Sequence, residues 1–186
     1  MIGNEKLKKT ILFLLMVASL YADAKVYIGS NLGYFDERFS EDIEAKSSSY
    51  MAKIKAGYGD REAYAIEFSL DYYDNKSKIF SQDDSKKFAM NVELVKAFDL
   101  NIYVNPFFKA GFGAGYLNVD REFEDILHYG TFNLGAGMFI PVNEHFDFEL
   151  GYDYKAVSYE GIDTIVQQIS YASHMNIVYF GFNLRF

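Results

Sequence analysis

Charged side chains recur at alternate positions along several stretches of the chain, and they are the most conspicuous source of chemistry in it. Asp147 and Glu149 are two residues apart, as are Lys53 and Lys55, so each pair would point to one side of an extended strand. Two isolated carboxylates could act as an acid and a base or relay protons. Because lysines of the same set lie on other strands, ion pairing in an enclosed interior is the favoured interpretation. The set has five cations and six anions: Lys53, Lys55, Lys109, Lys155 and Arg185, with Glu67, Asp71, Glu93, Asp147, Glu149 and Asp153.

Composition limits the classes of protein that could contain this set. The 186 residues are 50% hydrophobic and 18% aromatic, which excludes a disordered chain and indicates one domain. The absence of cysteine excludes disulfide frameworks, thiolate metal sites and cysteine nucleophiles. A net charge of -8 argues against nucleic acid as a partner. The mean hydropathy of -0.09 does not exclude a membrane barrel, whose apolar residues occupy only alternate positions.

The first 24 residues have the features of a secretory signal peptide. A basic start with Lys6, Lys8 and Lys9 precedes an apolar run over residues 11–20, and Ala22 and Ala24 form a small-x-small cleavage site. The apolar run is far shorter than the ~20 residues of a membrane-spanning helix. We therefore predict a signal peptide at 1–24, cleaved after Ala24, followed by one domain at 25–186.

The remaining chain alternates with a period of two, which predicts β-strands. On one parity the residues are apolar or aromatic, interrupted only by Ser30 and Lys96, and on the other they are glycine, polar or charged. Clustered glycines at 111, 113, 115, 135 and 137 should leave room for long side chains from the opposite wall, such as Glu67, Tyr73 and Arg185. Eight segments follow this rule: 26–34, 50–58, 64–72, 88–98, 108–116, 132–140, 146–154 and 178–186.

Connection lengths and tyrosine positions indicate which parity faces outward. Long and short connections alternate, as in barrels with extracellular loops and periplasmic turns. Tyrosines end the apolar parity at the long-loop side, typical of an aromatic girdle at a membrane surface. The predicted fold is all-β: an eight-stranded antiparallel up-and-down transmembrane β-barrel with its apolar parity in lipid. The alternative is a soluble secreted barrel with that parity inside.

The chain ends within the last segment, on an aromatic residue. Apolar residues occupy alternate positions at Phe180, Phe182, Leu184 and Phe186. This ending resembles the C-terminal signal read by the barrel-assembly machinery of the Gram-negative outer membrane. With the signal peptide and the eight segments, residues 25–186 resemble the small OmpA/OmpX-like outer-membrane barrels. The resemblance implies secretion through the inner membrane, location in the outer membrane, and three partners: the assembly machinery, outer-membrane lipid and lipopolysaccharide.

An eight-stranded barrel is just wide enough to be filled by side chains, so we expect a plugged polar lumen. Activity would then reside in the loops, as a structural role or as adhesion to an extracellular ligand. The first and third loops, predicted at 35–46 and 118–128, mix carboxylates with apolar residues. The fourth loop has four apolar residues at helical spacing: Ile162, Ile165, Val166 and Ile169. They could form one face of a short amphipathic helix, or they could belong to extensions of the strands that pack together.

The alternatives are a narrow pore and an outer-leaflet lipid-modifying enzyme. Lipid A deacylases of this fold resemble one another in a His-x-Ser pair, and neither His128, His145 nor His174 has a serine two residues later. Ser173 is adjacent to His174 and would face the opposite way in a strand. An acyl-transferring barrel or a hydrophobic channel would need an apolar lumen, whereas this one is charged. We therefore expect no enzymatic activity, cofactor or metal site.

Overall fold

Eight long strands make up most of the computed structural model, which describes residues 24–40, 46–75, 86–119, 126–160, 162–163, 168–169 and 171–186. The predicted signal peptide lies outside the described residues except for Ala24, so its cleavage stays a prediction. No helix among the described residues is long and apolar enough to cross a membrane. The long strands are β1 (Lys25–Ser40), β2 (Lys46–Gly59), β3 (Tyr64–Asp74), β4 (Lys86–Ala97), β5 (Asn105–Asn118), β6 (Ile126–Pro141), β7 (Phe146–Tyr159) and β10 (Ala172–Arg185).

These eight strands close into a single barrel. Each is antiparallel to its neighbours in the order β1-β10-β7-β6-β5-β4-β3-β2, and the first and last strands meet where Tyr27 lies opposite Arg185. Following the register once around the wall leads from Tyr27 to Glu37, a stagger of ten residues. Such a stagger tilts the strands relative to the barrel axis. Because the sheet is closed, no strand of the barrel has an unpaired edge. The predicted eight-stranded antiparallel up-and-down barrel is confirmed.

The apolar parity faces outward. Leu32 and Phe112 are both 69% exposed, whereas Tyr27 and Asp153, on the other parity, are 0% exposed. A surface so rich in large apolar side chains would be unstable in water and suits the hydrocarbon of a bilayer. The soluble alternative, with the apolar parity inside, is therefore wrong.

Aromatic rings mark both edges of the apolar band. At the extracellular end Tyr34 and Tyr50 make an edge-to-face contact with ring centroids 5.9 Å apart. At the periplasmic end, the Lys96 ammonium lies 4.1 Å from the ring centroid of Tyr64 and 5.3 Å from that of Phe98. The only charged residue predicted on the apolar parity thus sits among aromatic rings near the membrane surface, where its charge costs little.

The strands continue beyond the predicted loop boundaries at the extracellular end. β1 runs to Ser40 and β2 begins at Lys46, so most of the predicted loop 35–46 is strand. Similarly, β6 begins at Ile126 within the predicted third loop. The reason is that inward residues such as Phe35 keep packing inside the barrel above the girdle. We call this extension of the wall beyond the tyrosine girdle the extracellular collar.

The fourth extracellular connection contains a two-stranded hairpin. Its strands are β8 (Ile162–Asp163) and β9 (Gln168–Ile169), and they pair antiparallel with Ile162 opposite Ile169. The helical option at these two positions is therefore wrong, because the backbone is extended at both. Ile165 and Val166 lie outside the described residues.

Candidate functional site: the barrel interior

The interior of the barrel contains all eleven charged residues that were predicted for it, each at most 5% exposed. Lys55 joins two strands of the wall across the lumen. Its Nζ is 2.8 Å from Glu67 Oε2 and 2.5 Å from Glu149 Oε2. Tyr179 donates a hydrogen bond to the other oxygen of Glu149 at 2.9 Å, and Tyr27 donates to Glu67 at 3.0 Å. Both carboxylates therefore have a cation and a neutral donor as partners.

A second group shares two lysines between two carboxylates. Lys109 Nζ lies 3.1 Å from Asp153 Oδ1 and 3.4 Å from Glu93 Oε2. Lys53 Nζ lies 3.2 Å from Asp153 Oδ2 and 4.0 Å from Glu93 Oε2. Because β2, β4, β5 and β7 each contribute one member, the group holds opposite walls of the barrel together.

The third group centres on Asp71. Lys155 Nζ is 2.7 Å from Asp71 Oδ2, and Tyr73 donates to the same oxygen at 2.9 Å. Ser69 donates to Asp71 Oδ1 at 3.0 Å. Lys155 also donates to Asn91 at 3.1 Å, which links the charged group to a ladder of amides. One ion pair and two hydroxyl hydrogen bonds thus offset the cost of burying the Asp71 charge.

The fourth group lies at the periplasmic end. Arg185 Nε is 2.6 Å from Asp147 Oδ1, and Asn183 donates to Asp147 Oδ2 at 2.8 Å. The Arg185 guanidinium carbon lies 4.7 Å from the ring centroid of Tyr27 and 5.4 Å from that of Phe139. Aromatic rings and a hydrogen-bonded ion pair together fill this end of the lumen.

A buried ion pair in the extracellular collar was missed by the sequence reasoning. Lys87 Nζ lies 2.8 and 2.9 Å from the two oxygens of Glu37, and it also donates to the Tyr159 hydroxyl. Tyr159 and Ser173 each donate to Glu37 Oε1. The sequence pattern could have indicated Glu37, because it continues the inward parity two residues beyond Phe35. The predicted strand, however, ended at residue 34, before both residues. With this pair, the described interior contains six buried cations and seven buried carboxylates.

Apolar side chains line the lumen around the collar pair. Met175 lies beside the Lys87 ammonium, with its sulfur 3.9 Å from Nζ, and the Phe39 ring stacks on Tyr159 with centroids 5.8 Å apart. We call this layer the outer apolar cluster, and it covers the charged groups at the extracellular end of the barrel. Its buried members include Phe35, Met51, Tyr73, Leu117, Leu127, Tyr129, Val157, Tyr159, Met175, Ile177 and Tyr179.

The glycine-rich wall of β5 and β6 is covered by side chains of the same or adjacent strands. A Cβ built on Gly115 would lie 2.6 Å from the Tyr129 ring, one on Gly137 would lie 2.6 Å from the Phe107 ring, and one on Gly135 would meet Lys109 at 2.7 Å. The expectation that Glu67, Tyr73 and Arg185 from the opposite wall would fill this space is therefore wrong. The glycines instead let neighbouring long side chains lie flat along the wall.

Serine and histidine do not form a dyad in β10. Ser173 points inward, where it donates to Glu37. His174 points outward, where its Nδ1 is 2.6 Å from the Tyr154 hydroxyl and its ring stacks on that of Tyr154. In the part of the chain that the structure describes, no group of three or more histidine, aspartate or glutamate residues is arranged to hold a metal ion.

The last strand presents its alternate apolar residues to the lipid. Phe186 is 69% exposed, and its backbone N–H donates to the Val26 carbonyl at 2.9 Å. The final residue thus helps to close the barrel while its ring stays outside. Phe180, Phe182 and Leu184 are exposed on the same face.

Comparison with known proteins agrees with this architecture. A family model described as "Outer membrane protein beta-barrel domain" matches residues 10–186. A search of curated protein sequences found no significant match.

Solved structures share the fold at low sequence identity. Neisserial surface protein A is 16% identical, with 88% of this chain and 99% of that chain covered and a TM-score of 0.69. The N-terminal barrel domain of OprF from Pseudomonas aeruginosa is 14% identical, with 83% and 96% covered and a TM-score of 0.51. OprG from the same organism is 12% identical, with 88% and 95% covered and a TM-score of 0.50. The chain therefore belongs to the outer membrane protein β-barrel domain family and is an integral protein of the Gram-negative outer membrane.

Proposed function

We propose that this protein is a barrel with a plugged lumen whose function is to present an extracellular binding surface, in a structural or adhesive role. The observation that carries the proposal is the chain of buried ion pairs that crosses the lumen from Arg185 at one end to Lys87 at the other. A solute that passed through would have to separate these pairs, at a cost of several kcal/mol for each uncompensated charge. The predicted ion-pair residues would thus act as a structural plug rather than as a transport path.

The extracellular collar supports the second half of the proposal. The outer apolar cluster and the Glu37–Lys87 pair fill the barrel interior at the level of the collar with buried side chains. A packed collar holds the loop ends in fixed positions, so a partner binds without a large ordering cost. The lack of a serine–histidine dyad in β10 argues against an outer-leaflet lipid enzyme, because Ser173 and His174 lie on opposite sides of the wall.

We also propose that residues 1–24 are removed as a signal peptide and that the alternate apolar residues of β10 are read by the assembly machinery. Both proposals follow from the sequence pattern and from membership of an outer-membrane family. The ring of Phe186 is accessible from the lipid side, as recognition by another protein requires.

Measurement of ion flow tests the plugged lumen. In planar bilayers the purified protein should give no stable conductance steps, while a wide porin in the same bilayer gives them readily. The physical reason is that Lys53 and Lys109 are held across the lumen by Asp153 and Glu93. Reproducible steps that change in size in Lys109→Gln would contradict the plug.

The narrow pore is a second candidate because several interior polar atoms have no hydrogen-bond partner within the described protein. Both side-chain polar atoms of Asn31 and Oε1 of Glu93 are among them. Buried polar atoms of this kind are commonly satisfied by water, and connected waters could carry protons. Proton flux into vesicles under a pH gradient, lost in Glu93→Gln, would favour this candidate over the plug.

Shortening loops tests the binding surface. Bacteria that carry the protein with 41–45 and 161–170 each replaced by a short turn should adhere less to their target than bacteria with the intact protein. The barrel should still run as a folded, heat-modifiable band, since its pairing lies outside these segments. As a control, replacing residues 99–103 of the periplasmic turn should leave adhesion unchanged. If bacteria with the shortened loops adhered as well as bacteria with the 99–103 control, the result would count against a loop-borne function.

A further inference from the structure

A hydrogen bond crosses the periplasmic mouth of the barrel. Arg61 lies in the turn between β2 and β3, and its Nη1 donates to the Asn143 carbonyl of the turn between β6 and β7 at 2.8 Å. In the closed strand order these two turns are separated by two strands in either direction, so they lie on opposite sides of the rim. The contact therefore spans the opening and holds the β6–β7 turn over the end of the lumen.

A second side chain holds the same turn. Lys25, at the start of β1, donates from Nζ to the Glu144 carbonyl at 3.1 Å. Both contacts are made to the backbone of the turn, so they fix its path rather than the conformation of its side chains. We call residues 142–145, held in this way, the periplasmic cap.

The turn that carries Arg61 is fixed by its own hydrogen bonds. Gly59, just before it, has a φ of 151°, which residues other than glycine rarely adopt. The Asp60 N–H donates to the Tyr64 carbonyl at 2.9 Å, and the Asp60 side chain accepts from the Glu62 N–H at 2.8 Å. Because the backbone is already ordered, only the Arg61 side chain must be ordered when it reaches across the mouth.

Arg61 also completes the charge balance of the lumen. The described interior has six buried cations and seven buried carboxylates, so it lacks one positive charge. Arg61 Nη1 lies 3.9 Å from Asp147 Oδ1, which Arg185 contacts at 2.6 Å. The Arg61 side chain is 21% exposed, so it stands between the interior and the periplasm. The seventh cation therefore comes from the rim, and its side chain can leave the mouth without the movement of any strand.

A polar chamber of about 390 Å³ lies at the mouth beside the cap. Two buried polar atoms at this end of the lumen, Arg185 Nη1 and Asn183 Oδ1, have no hydrogen-bond partner within the described protein. Buried polar atoms of this kind are commonly satisfied by water, and the chamber is the route by which water would reach them. Its lining combines three cations and three carboxylates: Lys25, Arg61, Arg185, Asp60, Glu62 and Glu144.

We propose that Arg61 holds the periplasmic cap closed and that its release opens the mouth of the lumen to water and small cations. Once Arg61 has left, three carboxylates and two cations line the chamber, and Asp147 keeps only Arg185 as a partner. A cation therefore enters more readily than an anion. The inference rests on the plugged lumen proposed above, because a cap matters only where side chains of the wall leave no open pore.

The chain has no cysteine, so one introduced thiol can report access to the mouth. Ala65 is 6% exposed and belongs to a buried cluster with Tyr27 and Phe139, whose rings lie against the Arg185 guanidinium. In refolded Ala65→Cys we expect slow modification by a cationic methanethiosulfonate. Adding Arg61→Gln should raise the rate by about tenfold or more, the scale of one lost hydrogen bond to a charged group. The cationic reagent should gain more than an anionic one.

Three further variants complete the experiment. Arg38→Gln in Ala65→Cys also removes an arginine that is paired with an aspartate, but on the outside of the collar, and should leave the rate unchanged. Lys25→Gln removes the other contact to the cap and should raise the rate, which tests the cap through a second residue. Tyr103→Cys, at a position 96% exposed on the β4–β5 turn, gives the rate of an uncovered thiol.

The outcomes separate the cap from the plug. If Ala65→Cys reacted slowly and Arg61→Gln did not accelerate it, Arg61 would not hold a cap, while the plug would stand. If Ala65→Cys alone reacted as fast as Tyr103→Cys, the mouth would be open in the native protein, which would overturn both proposals. Equal acceleration by Arg38→Gln would mean that net charge acts rather than the contact across the mouth, and would overturn the cap. The folded, heat-modifiable band of every variant establishes that faster labelling is not loss of the barrel.

Discussion

Replacement of Lys87 by methionine should lower the free energy of unfolding of the refolded barrel by about 3–5 kcal/mol. Lys87 is 1% exposed and contacts both oxygens of Glu37, itself 1% exposed. Methionine has a similar volume, so packing changes little, but Glu37 is left as a buried charge without a cation. Urea titration in micelles, followed by circular dichroism and by the folded band on gels, measures the change.

Two further variants separate charge from packing. Lys86→Met alters the neighbouring residue, which is exposed on the outer face, and should change stability by no more than about 0.5 kcal/mol. The double variant Lys87→Met/Glu37→Gln removes both charges and should recover most of the loss, because no ion is then left unpaired. If Lys87→Met lowered the free energy of unfolding as little as Lys86→Met does, the Glu37–Lys87 pair would not be buried in the refolded protein.

Phe186→Ser should abolish most assembly into the outer membrane while leaving refolding in detergent largely intact. The ring of Phe186 is 69% exposed, so its loss removes little packing, and the backbone bond from its N–H to Val26 can still form. If the ring is read by the assembly machinery, cells should lose the folded protein from outer-membrane fractions. The measurement compares those fractions with the refolding yield of the purified chain.

Phe108→Ser is the matched control for this experiment. Phe108 is also a lipid-facing phenylalanine near the periplasmic end and is 62% exposed, but it lies in β5. The control should assemble nearly normally if Phe186 serves recognition. Comparable loss in the two variants would mean that lipid contact at this end of the barrel, rather than a C-terminal signal, is what assembly requires.

The transmembrane part of the barrel was predictable from sequence because lipid imposes a strict rule on it. From Val26 to Tyr34 every second residue except Ser30 is apolar, so the period-two pattern is strong enough to predict the strand. The collar follows a weaker rule, because its outer face meets water and headgroups. Arg38 and Asp36 occupy outward positions there and interrupt the apolar pattern. The predicted strand therefore ended at Tyr34, and the inward position of Glu37 was not recognised.

Pairing within the lumen was predictable as a class but not residue by residue. Near-equal numbers of inward cations and anions implied ion pairs, yet which lysine meets which carboxylate depends on the stagger of the wall. Lys55, for example, reaches Glu149 of β7, which no feature of its own strand indicates. The error at the glycine wall has a local cause, because Tyr129 and Phe107 lie directly opposite Gly115 and Gly137 in the pairing of β5 with β6.

Closure of the barrel joins its first and last strands, and this affects the rates at which the barrel forms and opens. The seam between β1 and β10 pairs Tyr27 with Arg185, which is almost the greatest sequence separation possible within the barrel strands. A contact of this kind forms late, after every intervening strand has arrived, and contributes nothing to earlier steps. Once formed, it cannot be lost by fraying of an end, because each terminal strand has a neighbour on both sides. We therefore expect slow insertion and still slower escape, so that the lifetime of the protein in its membrane is set by a kinetic barrier rather than by its equilibrium stability.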